Sequence, residues 1–128
     1  MRLDLYLWIL LLVSASSYAA EYACKVESKF NSEHQYTSQE IEKYKFSTRL
    51  EDLGSKAFIS RCSFVQIAAK VMCDRYEVDK VEFDQTARIK KFYVFSGQFD
   101  FQLFHNLLFV ENNGRGTIAY GKCEMVFP

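Results

Sequence analysis

Thr37-Ser38-Gln39-Glu40-Ile41-Glu42-Lys43-Tyr44-Lys45-Phe46-Ser47-Thr48-Arg49-Leu50-Glu51-Asp52-Leu53-Gly54 is the stretch on which the reading of the fold turns. Its first four residues form a capping box. The Thr37 hydroxyl is placed to accept a hydrogen bond from the Glu40 amide, and the Glu40 side chain to reach back. Ile41, Tyr44, Leu50 and Leu53 supply an imperfect apolar face at helical spacing. Gly54 stands where a left-handed cap would end the helix. The spacing predicts a helix over 38–53.

Downstream, residues 57–78 fit two templates. Phe64, Ile67, Ala68, Val71 and Met72 follow helical spacing, whereas Val65, Ile67, Ala69, Val71 and Cys73 alternate as in a strand. From Val78 onward the pattern is mostly β. Val81–Phe83, Ile89–Phe95 and Phe99–Leu103 read as strands, the last with period two. Leu107–Val110 is apolar throughout, as in a strand covered on both faces. Asn112-Asn113-Gly114 reads as a hairpin turn, Thr117–Tyr120 returns, Gly121 breaks, and Cys123–Phe127 closes the chain. Upstream, Glu21–Val26 reads as a short strand and 27–35 as a polar turn. The fold class expected is therefore α+β, with one main helix packed on a twisted antiparallel sheet.

The N-terminus reads as a secretory signal peptide. Met1-Arg2 precedes the apolar run Leu5–Val13, and Ser17-Tyr18-Ala19 offers small residues for cleavage after Ala19. The run falls short of the roughly 20 apolar residues that span a bilayer. The expected organisation is a signal peptide at 1–19 and a single domain at 20–128, with no membrane-spanning part in the mature chain.

Four cysteines, Cys24, Cys62, Cys73 and Cys123, follow the signal peptide. An even count in an exported chain points to disulfides, with three possible connectivities. A straight helix would carry Cys62 and Cys73 about 16 Å apart, and a strand farther. No Gly, Pro, Asn or Asp lies between them to reverse the chain. A direct bond needs a turn that the sequence does not signal; otherwise the two are free or pair elsewhere. No C-x-x-C pair occurs and His34 and His105 are isolated, so neither a metal nor another cofactor is expected.

The 16 basic and 16 acidic residues cancel, which argues against a binding mode dominated by phosphate contacts. Twelve Phe and eight Tyr supply a core. Phe92, Tyr93, Phe99, Phe101, Phe104 and Tyr120 could in principle stack on nucleic-acid bases. Such residues are more often the core of a small sheet, and Tyr93 and Tyr120 are the two to test. Lys90-Lys91 reads as a solvated strand end, and Asn113-Gly114-Arg115-Gly116 as a plain turn rather than a phosphate cradle.

Tyr22-Ala23-Cys24, an aromatic-x-Cys motif just after the cleavage site, resembles the candidate secreted effectors of cereal powdery mildews. Many of those are ribonuclease-like proteins associated with haustoria. The segments Phe92–Phe95, Leu107–Asn113, Thr117–Tyr120 and Cys123 resemble the sheet of fungal guanyl-specific ribonucleases. The resemblance implies a ribonuclease-like fold and a bond from the first cysteine to the last, Cys24–Cys123. The remaining pair, Cys62 and Cys73, stays open. The resemblance also locates the catalytic positions and finds them unfilled. Val94 stands in place of the glutamate, His105-Asn106 in place of the arginine, and Tyr120-Gly121 in place of the acid histidine. The implied protein is a pseudo-ribonuclease: a monomeric, non-catalytic virulence effector delivered into plant cells. It would bind a host protein, such as an intracellular immune receptor that reads it as an avirulence protein, or host RNA. Recognition would fall on loops 27–36, 96–106 and 111–116. Two alternatives are an active secreted ribonuclease using His105, with His34 as a conceivable second group, and an apoplastic toxin or inhibitor stapled by two disulfides.

Overall fold

The computed structural model describes residues 19–126; the expected signal peptide lies, but for Ala19, outside them. Nine strands form one sheet: β1 (Ala20–Phe30), β2 (Ser47–Asp52), β3 (Ala57–Val65), β4 (Lys70–Glu77), β5 (Lys80–Asp84), β6 (Ile89–Val94), β7 (Phe99–Phe104), β8 (Leu108–Asn112) and β9 (Ile118–Val126). The single helix described, α1 (Ser38–Tyr44), has seven residues. The expected α+β architecture with a main helix, and with it the ribonuclease-like fold, is thereby corrected to a curled antiparallel sheet carrying one short helix.

The capping box itself is present: the Glu40 amide donates to Thr37 Oγ1 at 3.1 Å, and the Thr37 amide to Glu40 Oε1 at 3.0 Å. The helix then stops nine residues early. Lys45 takes the left-handed conformation and donates to the Ile41 carbonyl, closing the C-cap. Beyond it, Thr48 and Leu50 alternate inward while Arg49 faces solvent. That period of two becomes β2, paired to β1 and β3. Gly54, at φ 86°, turns the β2–β3 connection instead of capping a helix.

The strand order is β4-β3-β2-β1-β9-β8-β7-β6-β5. Two meanders, β1 to β4 and β5 to β9, are joined where β1 pairs with β9. Every pairing is antiparallel, so β4 and β5 at the two edges run in the same direction. Only Val78 and Asp79 separate them. The Val78 amide donates to Ala57 O beside β4, and the next amide, of Asp79, donates to Tyr93 O in β6, both at 2.9 Å. Residues 70–84 therefore behave as one bent strand that changes partner at a corner, which obliges the sheet to curl until its edges meet. Phe95 N donates to Asp79 Oδ2 at 2.7 Å and pins that corner.

The concave face holds the core. Phe92, Val94, Phe99, Phe101 and Phe109 come from the second meander, Leu50 and Ile59 from the first. Phe101 stacks on Phe109 with centroids 5.1 Å apart. β9 runs unbroken through Gly121, where the sequence suggested a break. A Cβ there would meet the Lys25 carbonyl oxygen at 1.8 Å, so the glycine admits β1 at close approach. β8 is covered on one face only: Phe109 and Glu111 are buried and Leu108 is exposed, correcting the two-sided reading.

Both disulfides are formed, and both join directly paired residues of neighbouring strands: Cys24–Cys123 across β1–β9 and Cys62–Cys73 across β3–β4. The first lies buried on the concave face. The second needs the unsignalled turn, and residues 66–69 supply it: Ala69 N donates to Gln66 O at 3.1 Å and Ala69 sits at φ 52°. The segment 57–78 is thus a hairpin rather than a helix.

Candidate functional site

At the candidate site, charged and polar side chains of the concave face surround a cavity. It lies at the mouth of the curl and is built from four strands. Alternation along β8 sends Phe109 and Glu111 inward. Alternation along β2 sends Thr48 and Leu50 inward, and Arg61 follows Ala57 and Ile59 on β3. Lys29 arrives by a different device. β1 bulges between Val26 and Ser28, so Lys29, not Ser28, falls opposite the buried Ala119. Ala119 in turn pairs with Glu111. Its small side chain leaves a space between Lys29 and Glu111.

Glu111 is only 7% exposed. Thr48 Oγ1 donates to its Oε1 at 3.4 Å, and Arg61 Nε lies 3.5 Å from the same oxygen. The Arg61 guanidinium also stands 4.7 Å from the centroid of the Phe99 ring. The Lys29 ammonium sits over the Phe46 ring, 3.8 Å from its centroid, and 5.3 Å from that of Tyr36. Around these groups lies a cavity of about 250 Å³, which Asp74 and Tyr76 also line.

Burial sets the electrostatics. It pushes the Glu111 carboxyl above the usual carboxylate range, against the opposing pull of Arg61 and Lys29. It draws the Lys29 ammonium below its ordinary value, and Glu111 offsets part of that while Arg61 adds to it. A second ion pair, Lys90 with Asp52, also crosses the curl. Lys90 is therefore not the solvated strand end that the sequence suggested.

The residues singled out from sequence lie elsewhere. Tyr22 and Cys24 both face the concave side, two residues apart on β1, and pack into the core. The aromatic-x-Cys motif has a packing reason. His34 is bound to Glu40 at 3.0 Å, on the side chain that caps α1. His105 is exposed in the β7–β8 turn, at the opposite end of β8 from the β1 terminus that leads to His34, so the two histidines do not meet. Val94 is buried core. Tyr93 and Tyr120 share the convex face, but β7 and β8 lie between their strands, about 14 Å at ordinary strand spacing. Tyr120 instead joins His105, Phe104, Leu108 and Val110 along an apolar groove of about 420 Å³. Residues Asn112–Thr117 form a plain turn held by the Asn112 and Asn113 side chains. Of the three expected recognition loops, 111–116 is mostly turn, 27–36 begins inside β1, and 96–106 is mostly β7.

Lys29, Thr48, Arg61 and Glu111 were not legible as a site. Only Glu111 carried a usable signal, as a carboxylate two residues after Phe109 at the end of an apolar run. Among the described residues, no three His, Cys, Asp or Glu side chains cluster as metal ligands, and no helix is long and apolar enough to cross a membrane. Two disulfides fit an extracellular or secreted protein. No protein-family profile, curated protein or solved structure significantly matches this chain.

Proposed function

We propose that this chain is a secreted, disulfide-stapled module that acts by binding, with the mouth of the curled sheet as its ligand site. The observation that carries the reading is the convergence of Lys29, Arg61 and Glu111 on one cavity of a largely apolar concave face. Burying charge is costly unless it is paired or used, and β1 bulges to bring Lys29 there. Thermal-shift screening of the oxidised protein against small acids, amines, sugars and nucleotides tests it. Amide shifts of hits should map to Lys29, Thr48 and Arg61. Hits that map only to the convex groove around Tyr120 overturn the assignment.

A narrower reading follows the powdery-mildew resemblance: a non-catalytic virulence effector that binds host protein or RNA in plant cells. One observation favours it, the bond from first cysteine to last. An RNA-cleavage and RNA-binding assay separates the outcomes. Binding without cleavage supports the effector acting on RNA, and neither directs the search to host proteins. Cleavage that disappears in His105→Ala means an active ribonuclease.

A further inference from the structure

Two of the charged side chains lining the mouth, Lys29 and Arg61, are hydrogen-bond donors. A guanidinium carries five N–H donors and an ammonium three. Arg61 directs Nε toward Glu111. Among the described residues the Lys29 ammonium makes no ion pair and rests on the faces of Phe46 and Tyr36. Against these donors the buried acceptor is the Glu111 carboxylate, already engaged by Thr48 and Arg61. Asp74, on the exposed edge strand β4, lines the same cavity. Both cations line the same cavity. They come from β1 and β3, strands held apart by β2, so the gap between them is fixed by the sheet. A cavity of about 250 Å³ sits just below the usual range for small-molecule sites, which suits a fragment-sized ligand.

Resting on the reading of the mouth as the ligand site, we propose that it binds a small oxyanion, such as the sulfate, sulfonate, phosphate or carboxylate group of a fragment-sized molecule, between the Lys29 ammonium and the Arg61 guanidinium. The anion would accept the donors that Glu111 leaves unused. Four charged groups face the site: Lys29 from β1, Arg61 from β3, Asp74 from β4 and Glu111 from β8, with Asp100 of β7 also acting on Glu111. With Glu111 ionised, the lining charges of Lys29, Arg61, Glu111 and Asp74 cancel. Protonation of Glu111 leaves one net positive charge, and burial makes that step occur at higher pH than for an ordinary carboxyl. Oxyanion affinity should therefore rise as the solution is acidified.

Sulfate and methanesulfonate, whose charges do not change between pH 8 and pH 5, are the probes, titrated at constant ionic strength and followed by amide shifts. Expected is saturable binding at the Lys29, Thr48 and Arg61 amides, tighter at pH 5. Lys29→Met and Arg61→Met should each weaken it about tenfold, as for loss of a charge-assisted hydrogen bond, with Arg61→Lys retaining part. Asp74→Asn should tighten it, and Glu111→Gln should remove the pH dependence. Melting curves of each variant establish that it is folded. Absence of saturable binding by both anions at both pH values overturns the oxyanion assignment. If amines or sugars then shift the same amides, the mouth remains the ligand site; if nothing does, both readings fall.

Discussion

The two meanders share one sheet and differ in what they point inward. The second, β5 to β9, supplies Phe92, Val94, Phe99, Phe101, Leu103 and Phe109, a largely apolar surface interrupted by Glu111 and Lys90. The first, β1 to β4, supplies Leu50, Ile59 and Val26, but also Lys29, Thr48, Asp52 and Arg61. It also depends on a second disulfide at its edge hairpin, where β4 is largely exposed. One half is held by apolar burial. The other is held by that half, through charges that cross the curl, and by cross-links. A sheet of this kind can carry a polar cavity because the apolar half supplies most of the buried area.

Removing the cross-links tests that division most severely. Cys24–Cys123 closes a span of 99 residues and joins the two meanders. In the chain-entropy account, replacing both cysteines by alanine should cost about 4.7 kcal/mol. Cys62–Cys73 spans only 11 residues, and the same account gives about 3 kcal/mol for its loss. Denaturant unfolding of the two double variants reads the difference. If removing Cys62–Cys73 costs as much as removing Cys24–Cys123, the span that each bond closes does not set its contribution. Of comparable size, Phe101→Ala should cost about 3–5 kcal/mol, since Phe101 is fully buried and packs on Phe92 and Phe109. Tyr120→Ala on the convex face, 38% exposed, should stay within about 0.5 kcal/mol. Comparable losses at both sites would mean that the convex groove is structural.

The same division governed what could be read from the sequence. In the second meander large apolar residues recur every second position, as in Phe99-Asp100-Phe101-Gln102-Leu103, and β5 to β8 fall close to their expected places. In the first, the inward positions of β2 and β3 include Thr48, Asp52 and Arg61. Period two is thereby hidden, and a capping box followed by Ile41 and Tyr44 outweighs it. Ser96-Gly97 and Asn112-Asn113-Gly114 read as turns and are turns, but other turn signals were weak for a related reason. The residues ending the turns before β4, β6, β7 and β8 are Ala69, Arg88, Gln98 and Leu107, all left-handed and none of them glycine or asparagine. Conformations that cost roughly 1–2 kcal/mol each outside glycine are imposed here by strand pairing. The cysteine count was legible, and the Cys24–Cys123 pairing came through resemblance. The mouth was not legible, because it depends on a bulge that turns Lys29 inward and on a curl that brings β3 over β8.

The mildest way to probe the charges that cross the curl is to remove one of them and no volume. Burial raises the folded-state pKa of Glu111 above its unfolded value. A carboxyl shifted in that direction weakens the fold when ionised: its contribution is fully present below the unfolded pKa and is lost as pH rises through the folded one. Glu111→Gln removes the ionisation while keeping an oxygen that can accept from Thr48 and Arg61. The variant should therefore melt at a higher temperature than the parent at neutral pH. That advantage should shrink as pH falls through the raised pKa, where the parent becomes neutral at the same position. Melting temperatures of both proteins across that range decide the matter. An advantage that persists unchanged into acid would show that the gain is one of packing. A variant less stable than the parent at neutral pH would show that Arg61 and Lys29 repay the burial of Glu111 in full, and that the charges pairing across the curl add to the hold of the phenylalanines.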